Sequence, residues 1–203
     1  MSIWIKAGFW EKLCKPCQGY KGWFNLTQFV EDLAVPGPQG PQGEPGLNGV
    51  GWHGSFFDTT TQTNTSGQVK AMEFNNTDST CTSGFSITNN TLGRPTRITA
   101  ANAGVYNLQF SAQLNRETGG SPKQVDIWFA VNGTTIPNSN TGVTMQANDG
   151  KVVASWNFFV KLTAGQYVEI MWTQNDAVDL LAEVAGVNYP ATPSVIATIN
   201  QVG

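Results

Sequence analysis

The chain has 203 residues, of which only 12% are charged, with a formal net charge of −3 and no cluster of lysine or arginine. Without a basic patch to neutralise phosphates, nucleic acid is not an expected partner. No run of 18 apolar residues is present, so no membrane-spanning helix is expected, and the first residues hold too short an apolar run for a secretory signal. The chain is therefore expected to fold where it is made.

Residues 1–34 carry seven aromatics, Trp4, Phe9, Trp10, Tyr20, Trp23, Phe24 and Phe29, among several lysines. So short a segment cannot bury that many rings on itself, which predicts an anchor that docks on another surface through Trp4, Phe9, Trp10, Trp23 and Phe24. Its last part reads as a short helix over 26–34. Asn25 fits the N-cap with Gln28 three residues on, and Leu26, Phe29, Val30 and Leu33 share one face. That stripe can bundle three chains, with Phe29 at the interface, or pack back on the preceding aromatics. Cys14 and Cys17 form a Cys-Lys-Pro-Cys motif that can be half a zinc site, a redox pair or a local disulfide. A metal site needs two more ligands. The reading adopted is a structural pair or free thiols with no cofactor, a metal shared between three chains being the alternative.

Residues 35–50 contain Gly37, Gly40, Gly43, Gly46 and Gly49 at strict three-residue spacing, with Pro38, Pro41 and Pro45 between them. Glycine every third residue is the requirement of the collagen triple helix, whose axis has no room for a side chain, so the run predicts a homotrimer with these glycines on the axis. A flexible Gly/Pro linker is the competing reading. A stalk of about 40 Å, at ~3 Å per residue, is too short to trimerise alone and needs flanking parts that hold the chains together.

From residue 51 to 203 the periodicity becomes that of β-strands. In residues 104–114, Tyr106, Leu108, Phe110, Ala112 and Leu114 alternate with Asn107, Gln109, Ser111 and Gln113, the pattern of a half-buried strand. Further strands are predicted over 124–131, 151–162, 166–173 and 194–202, with turns at 131–133, 148–150 and 163–165. Phe159 and Met171 stand opposite the main apolar face of their strands, which predicts a second burial partner, a neighbouring protomer. Many short antiparallel strands over ~150 residues predict a sandwich, most simply a jelly roll.

Catalytic chemistry finds little support. His53 is the sole histidine, so any Ser-His-Asp or Cys-His arrangement has to be built on it, at the joint between stalk and head. Asp126, Asp149, Asp176 and Asp179 read as solvated loop charges, an acid/base pair among them, or calcium bound at Asp176 and Asp179, being the alternatives. No enzymatic role is expected.

The segments Ile98–Leu114, Asp126–Gly133 and Leu162–Trp172, following a collagen-like run, resemble the globular heads of complement-type collagenous proteins in the tumour-necrosis-factor-like jelly-roll superfamily. Asp126–Gly133 with Ile136-Pro137-Asn138-Ser139, the strand Val153–Phe158 and the ending Pro193–Val202 are also similar to knobs of bacteriophage fibres and capsid-attached proteins. The resemblance implies a three-fold trimer of ten-stranded protomers. It further implies a virion protein assembled in the host cytoplasm, a head fibre or capsid decoration bound to a capsid or tail protein. Its knob is expected to make weak, multivalent contact with host-surface glycans. A tail-fibre receptor-binding protein and a purely mechanical cement protein are the alternatives.

Replacing Gly43 by a bulkier residue is expected to lower the melting temperature of the stalk and leave that of the head unchanged, because glycine is required only on the crowded axis. Circular dichroism of the full chain, followed at the collagen and β signals separately, checks this.

Overall fold

The computed structural model describes residues 4–6, 23–25, 51–146, 150–175 and 177–203. The chain forms two compact units, residues 1–48 and 49–203. In the first, β1 (Trp4–Lys6) pairs antiparallel with β2 (Trp23–Asn25), setting Trp4 opposite Asn25, Ile5 opposite Phe24 and Lys6 opposite Trp23. These strands are not evident from the sequence, since three-residue runs are too short to show a period. The predicted helix over 26–34 with Phe29, the rings of Phe9 and Trp10, the Cys14–Cys17 pair and the stalk glycines Gly37, Gly40, Gly43, Gly46 and Gly49 lie outside the described residues.

The second unit is built almost wholly from antiparallel strands, in two sheets. They are β3 (His53–Asp58), β4 (Lys70–Ala71), β5 (Asn76–Thr77), β6 (Phe85–Asn89), β7 (Pro95–Ala100), β8 (Gly104–Arg116), β9 (Lys123–Val131), β10 (Thr134–Thr135), β11 (Thr141–Met145), β12 (Gly150–Leu162), β13 (Tyr167–Gln174), β14 (Asp179–Leu180) and β15 (Val195–Gln201). One sheet runs β10-β9-β13-β7-β6, with β11 also on β9 and β4 also on β13; the other runs β12-β8-β15-β3-β5, with β14 on β8. Strands adjacent in space are mostly distant in sequence, because the chain passes repeatedly from one sheet to the other. The one helical turn among the described residues is the 3-10 turn Ser79–Cys81.

Why these strands form follows from alternation. On β8 the buried residues are Tyr106, Leu108, Phe110, Ala112 and Leu114, the face read from sequence. β12 lies beside it over thirteen paired positions, Gly150 opposite Arg116 through Leu162 opposite Gly104. Its Ala154, Val160 and Leu162 are buried, with Val152, Trp156 and Phe158 packed against the core on the same face. The predicted strands 124–131, 151–162, 166–173 and 194–202 correspond to β9, β12, β13 and β15 with ends shifted by one residue. At the predicted turn after β9, Asn132 and Gly133 both have positive φ, 48° and 77°, the geometry that favours Asn-Gly in a two-residue hairpin.

An aromatic cluster joins the sheets. The Phe110 ring, from β8, meets Phe129, from β9, edge to face at 5.9 Å, and also meets Trp156 at 4.6 Å; Phe129 stacks on Phe158 at 4.9 Å. At one end Tyr106 turns its ring edge to Phe85 at 4.9 Å and donates its hydroxyl to the Asn102 carbonyl at 2.8 Å. Phe110→Ala is expected to cost about 3–5 kcal/mol of stability, since it removes a buried ring and both edge contacts. Urea unfolding followed by tryptophan fluorescence measures it.

Candidate ligand grooves on one sheet face

On β13 the side chains of Val168, Ile170, Trp172 and Gln174 are buried between the sheets, and Tyr167, Met171 and Thr173 face outward, half-buried. The neighbour of β13 changes along its length. β7 pairs with it at Tyr167 and Val168, and β4 at Met171 and Trp172. Glu169 sits where one neighbour gives way to the other, and this gap holds a charged network.

Glu169 is buried, 7% exposed, and its carboxylate accepts a hydrogen bond from the buried Thr96 hydroxyl at 2.6 Å. Its Oε1 stands 3.7 Å from Nε of Arg97. The Arg97 guanidinium lies 4.3 Å over the Tyr167 ring and its Nη1 donates to the Asn89 carbonyl at 3.2 Å. Ring, carbonyl and carboxylate together fix this arginine in one orientation, while its Nε, buried, has no acceptor within hydrogen-bond distance. Arg94, three residues earlier, pairs with Glu73. The Glu73 backbone is in turn clamped by Gln62, which donates Nε2 to the Glu73 carbonyl and accepts the Glu73 N–H, both at 2.9 Å.

A groove of about 340 Å3 opens over this network, between Lys70–Glu73, the 90–94 loop and the outer residues of β13. A second, of about 290 Å3, adjoins it across Lys70, Ala71, Glu73 and Arg94 and is otherwise lined by Thr60–Thr63 and Trp172. Trp172 is buried and its indole Nε1 has no acceptor among the described residues. A third groove, of about 350 Å3, is formed by Trp128, Thr135, Ile136, Pro137, Asn138 and Asn140. Trp128 and Met171 are direct partners across β9 and β13, so the first and third grooves meet at that pair. Asn138 has φ 63°, a left-handed conformation that asparagine tolerates.

The residues singled out from sequence are dispersed. Phe159 is 59% exposed on the outward side of β12 with Val153, and Met171 is half-buried on the outward side of β13, in the other sheet. His53 lies on β3 and its Nδ1–H donates to the Gly51 carbonyl at 2.9 Å. Asp126 accepts from Gln124 at 2.7 Å and Asn140 at 3.1 Å. Asp149 and Asp176 lie outside the described residues, and for Trp4, Trp23 and Phe24 the backbone pairing alone is described. Among the described residues no three His, Cys, Asp or Glu side chains come together as metal ligands, and no helix is long and apolar enough to cross a membrane. Arg94, Arg97 and Glu169 were not recognised from sequence. A signal was there: two of the chain's three arginines stand in Arg94-Pro95-Thr96-Arg97, and Glu169 interrupts an apolar strand.

No protein-family model matches this sequence, and no curated protein matches it significantly.

Asp179, on β14, has its carboxyl pushed above the usual value by burial, then by the nearby Glu117, against the pull of Lys70. The fold therefore holds the proton more tightly than the unfolded chain does. The proton's stabilising contribution is complete below the ordinary carboxylate pKa of 3.8 and is lost as pH rises through the higher folded value. Asp179→Asn is expected to raise the melting temperature slightly at pH 7 and to leave it unchanged near pH 3; calorimetry across that range checks the sign.

Proposed function

We propose that the chain is the protomer of a trimeric virion fibre: an N-terminal aromatic anchor seated on a capsid or tail protein, a short collagen stalk, and a jelly-roll head of the tumour-necrosis-factor-like kind that makes weak contacts with host-surface glycans. The observation that carries this is the coupling of the strict glycine triplet run, Gly37 to Gly49, to a two-sheet antiparallel head. A triple helix requires three chains, and two antiparallel sheets with the interleaved orders β9-β13-β7 and β12-β8-β15-β3 support the jelly-roll reading, a fold suited to three-fold packing.

The trimer contact is assigned to the outer face and free edge of the sheet that ends in β12. Phe159 (59% exposed), Val153 (55%) and Ile196 (37%) all face outward there, more apolar surface than a solvated edge strand favours. The opposite sheet, with its grooves, then remains open to the surroundings. In the anchor, each ring that becomes covered contributes on the order of 2 kcal/mol, and three chains entering one site multiply the effect. The function is binding and structure, with no catalytic step.

Deleting residues 1–24 tests the orientation of the molecule. The expected product is a soluble trimer by sedimentation that no longer decorates virions. Normal copy number on the particle would place attachment in the head instead, and a monomer at micromolar concentration would remove the trimeric fibre. A full-length trimer that decorates particles yet binds no glycan on an array would favour the cement role.

A further inference from the structure

Resting on the glycan-adhesion reading, we infer that the grooves on either side of the Met171–Trp128 pair form one elongated site for an acidic oligosaccharide, with its carboxylate beside Arg94, Arg97 and Lys70 and a neutral pyranose ring against Trp128. Three cations face two carboxylates, Glu73 and Glu169, along the first groove, a local positive excess on a chain of net charge −3. A doubly charged phosphate meets repulsion from both glutamates. A sugar bearing a single carboxylate satisfies the cations and gives its hydroxyls to the glutamates, so this mixture of fixed donors and acceptors suits a polyhydroxylated monoanion.

A further observation points to a ligand with acceptor oxygens. Nε of Arg97, beside the first groove, is a buried N–H group with no acceptor within hydrogen-bond distance, its nearest carboxylate oxygen, on Glu169, standing 3.7 Å away. Buried donors of this kind are rare in native structures and mark places where a water or ligand oxygen belongs. Arg97, in addition, is already immobilised by Tyr167 and the Asn89 carbonyl, so a ligand need not order it. The third groove is lined by Trp128, Ile136 and Pro137 together with Thr135, Asn138 and Asn140, an apolar surface accompanied by polar groups. Trp128 and Met171 are cross-strand partners, with Cβ atoms about 5 Å apart, which makes the two grooves consecutive stations for a linear chain.

The test uses the full-length chain, titrated by NMR and by tryptophan fluorescence with glucuronate, glucose, and a uronic-acid-containing tetrasaccharide. The expected result is millimolar binding of glucuronate, no binding of glucose, and at least tenfold tighter binding of the tetrasaccharide. Arg94→Gln and Lys70→Gln, two groups outside the core, should each weaken glucuronate at least fivefold, and more weakly at high salt. Trp128→Ala should abolish the tetrasaccharide gain and leave glucuronate unaffected; its folding is confirmed by an unchanged far-ultraviolet spectrum. Equal binding of glucose and glucuronate, or affinity unmoved in Arg94→Gln and Lys70→Gln, overturns the assignment and leaves glycan adhesion standing for another surface. A wild-type protein that binds none of these sugars but binds other glycans on an array also overturns it, whereas one that binds no glycan at all overturns the adhesion reading as well.

Discussion

The contact between Phe110 and Phe129 is the point on which the head depends. These rings come from the central strands of different sheets, β8 and β9, and with Trp156 and Phe158 they fill the space between them. Sheets pack about 10 Å apart, so large interior side chains set that spacing. Strand residues point alternately to opposite faces. Once Phe129 is fixed inward, Trp128 is fixed outward, and the same constraint across the β9–β13 register sends Met171 outward beside it. The position of the outer grooves is in this sense a consequence of the core.

The charged network around Glu169 shows how a fold can hold a carboxylate on a sheet face without solvating it. β7 leaves β13 after Val168 and β4 joins at Met171, and the interval is closed by Thr96, Arg97 and Tyr167. Removing the arginine would leave the acid covered and without its cation, a costly state.

Legibility in the sequence followed the strength of the alternation. The residues of β8, from Tyr106 to Leu114, repeat apolar and polar so regularly that the strand and its buried face were readable together, and β9, β12, β13 and β15 were readable nearly as well. β3 was not, because its inward positions are Gly54, Phe56 and Asp58: a glycine and an acid hide the period. Asp58 is buried because it accepts the Thr60 N–H and hydroxyl, a local turn bond that composition does not reveal. β7 begins at a proline and carries Arg97, features of a loop. The groove was illegible for a different reason: Arg97 and Glu169 are 72 residues apart, and only the register of β13 with β7 brings them together.

The pairing of β3 with β15 has a mechanical consequence. β3 is the first strand of the second unit, and from His53 to Asp58 it is held along its length by β15, which is itself flanked on the other side by β8. Tension applied to the chain at Gly51, directed along β3, loads the backbone bonds of six consecutive pairs at once instead of opening them one after another. A first strand seated in this way resists extraction through collective shear.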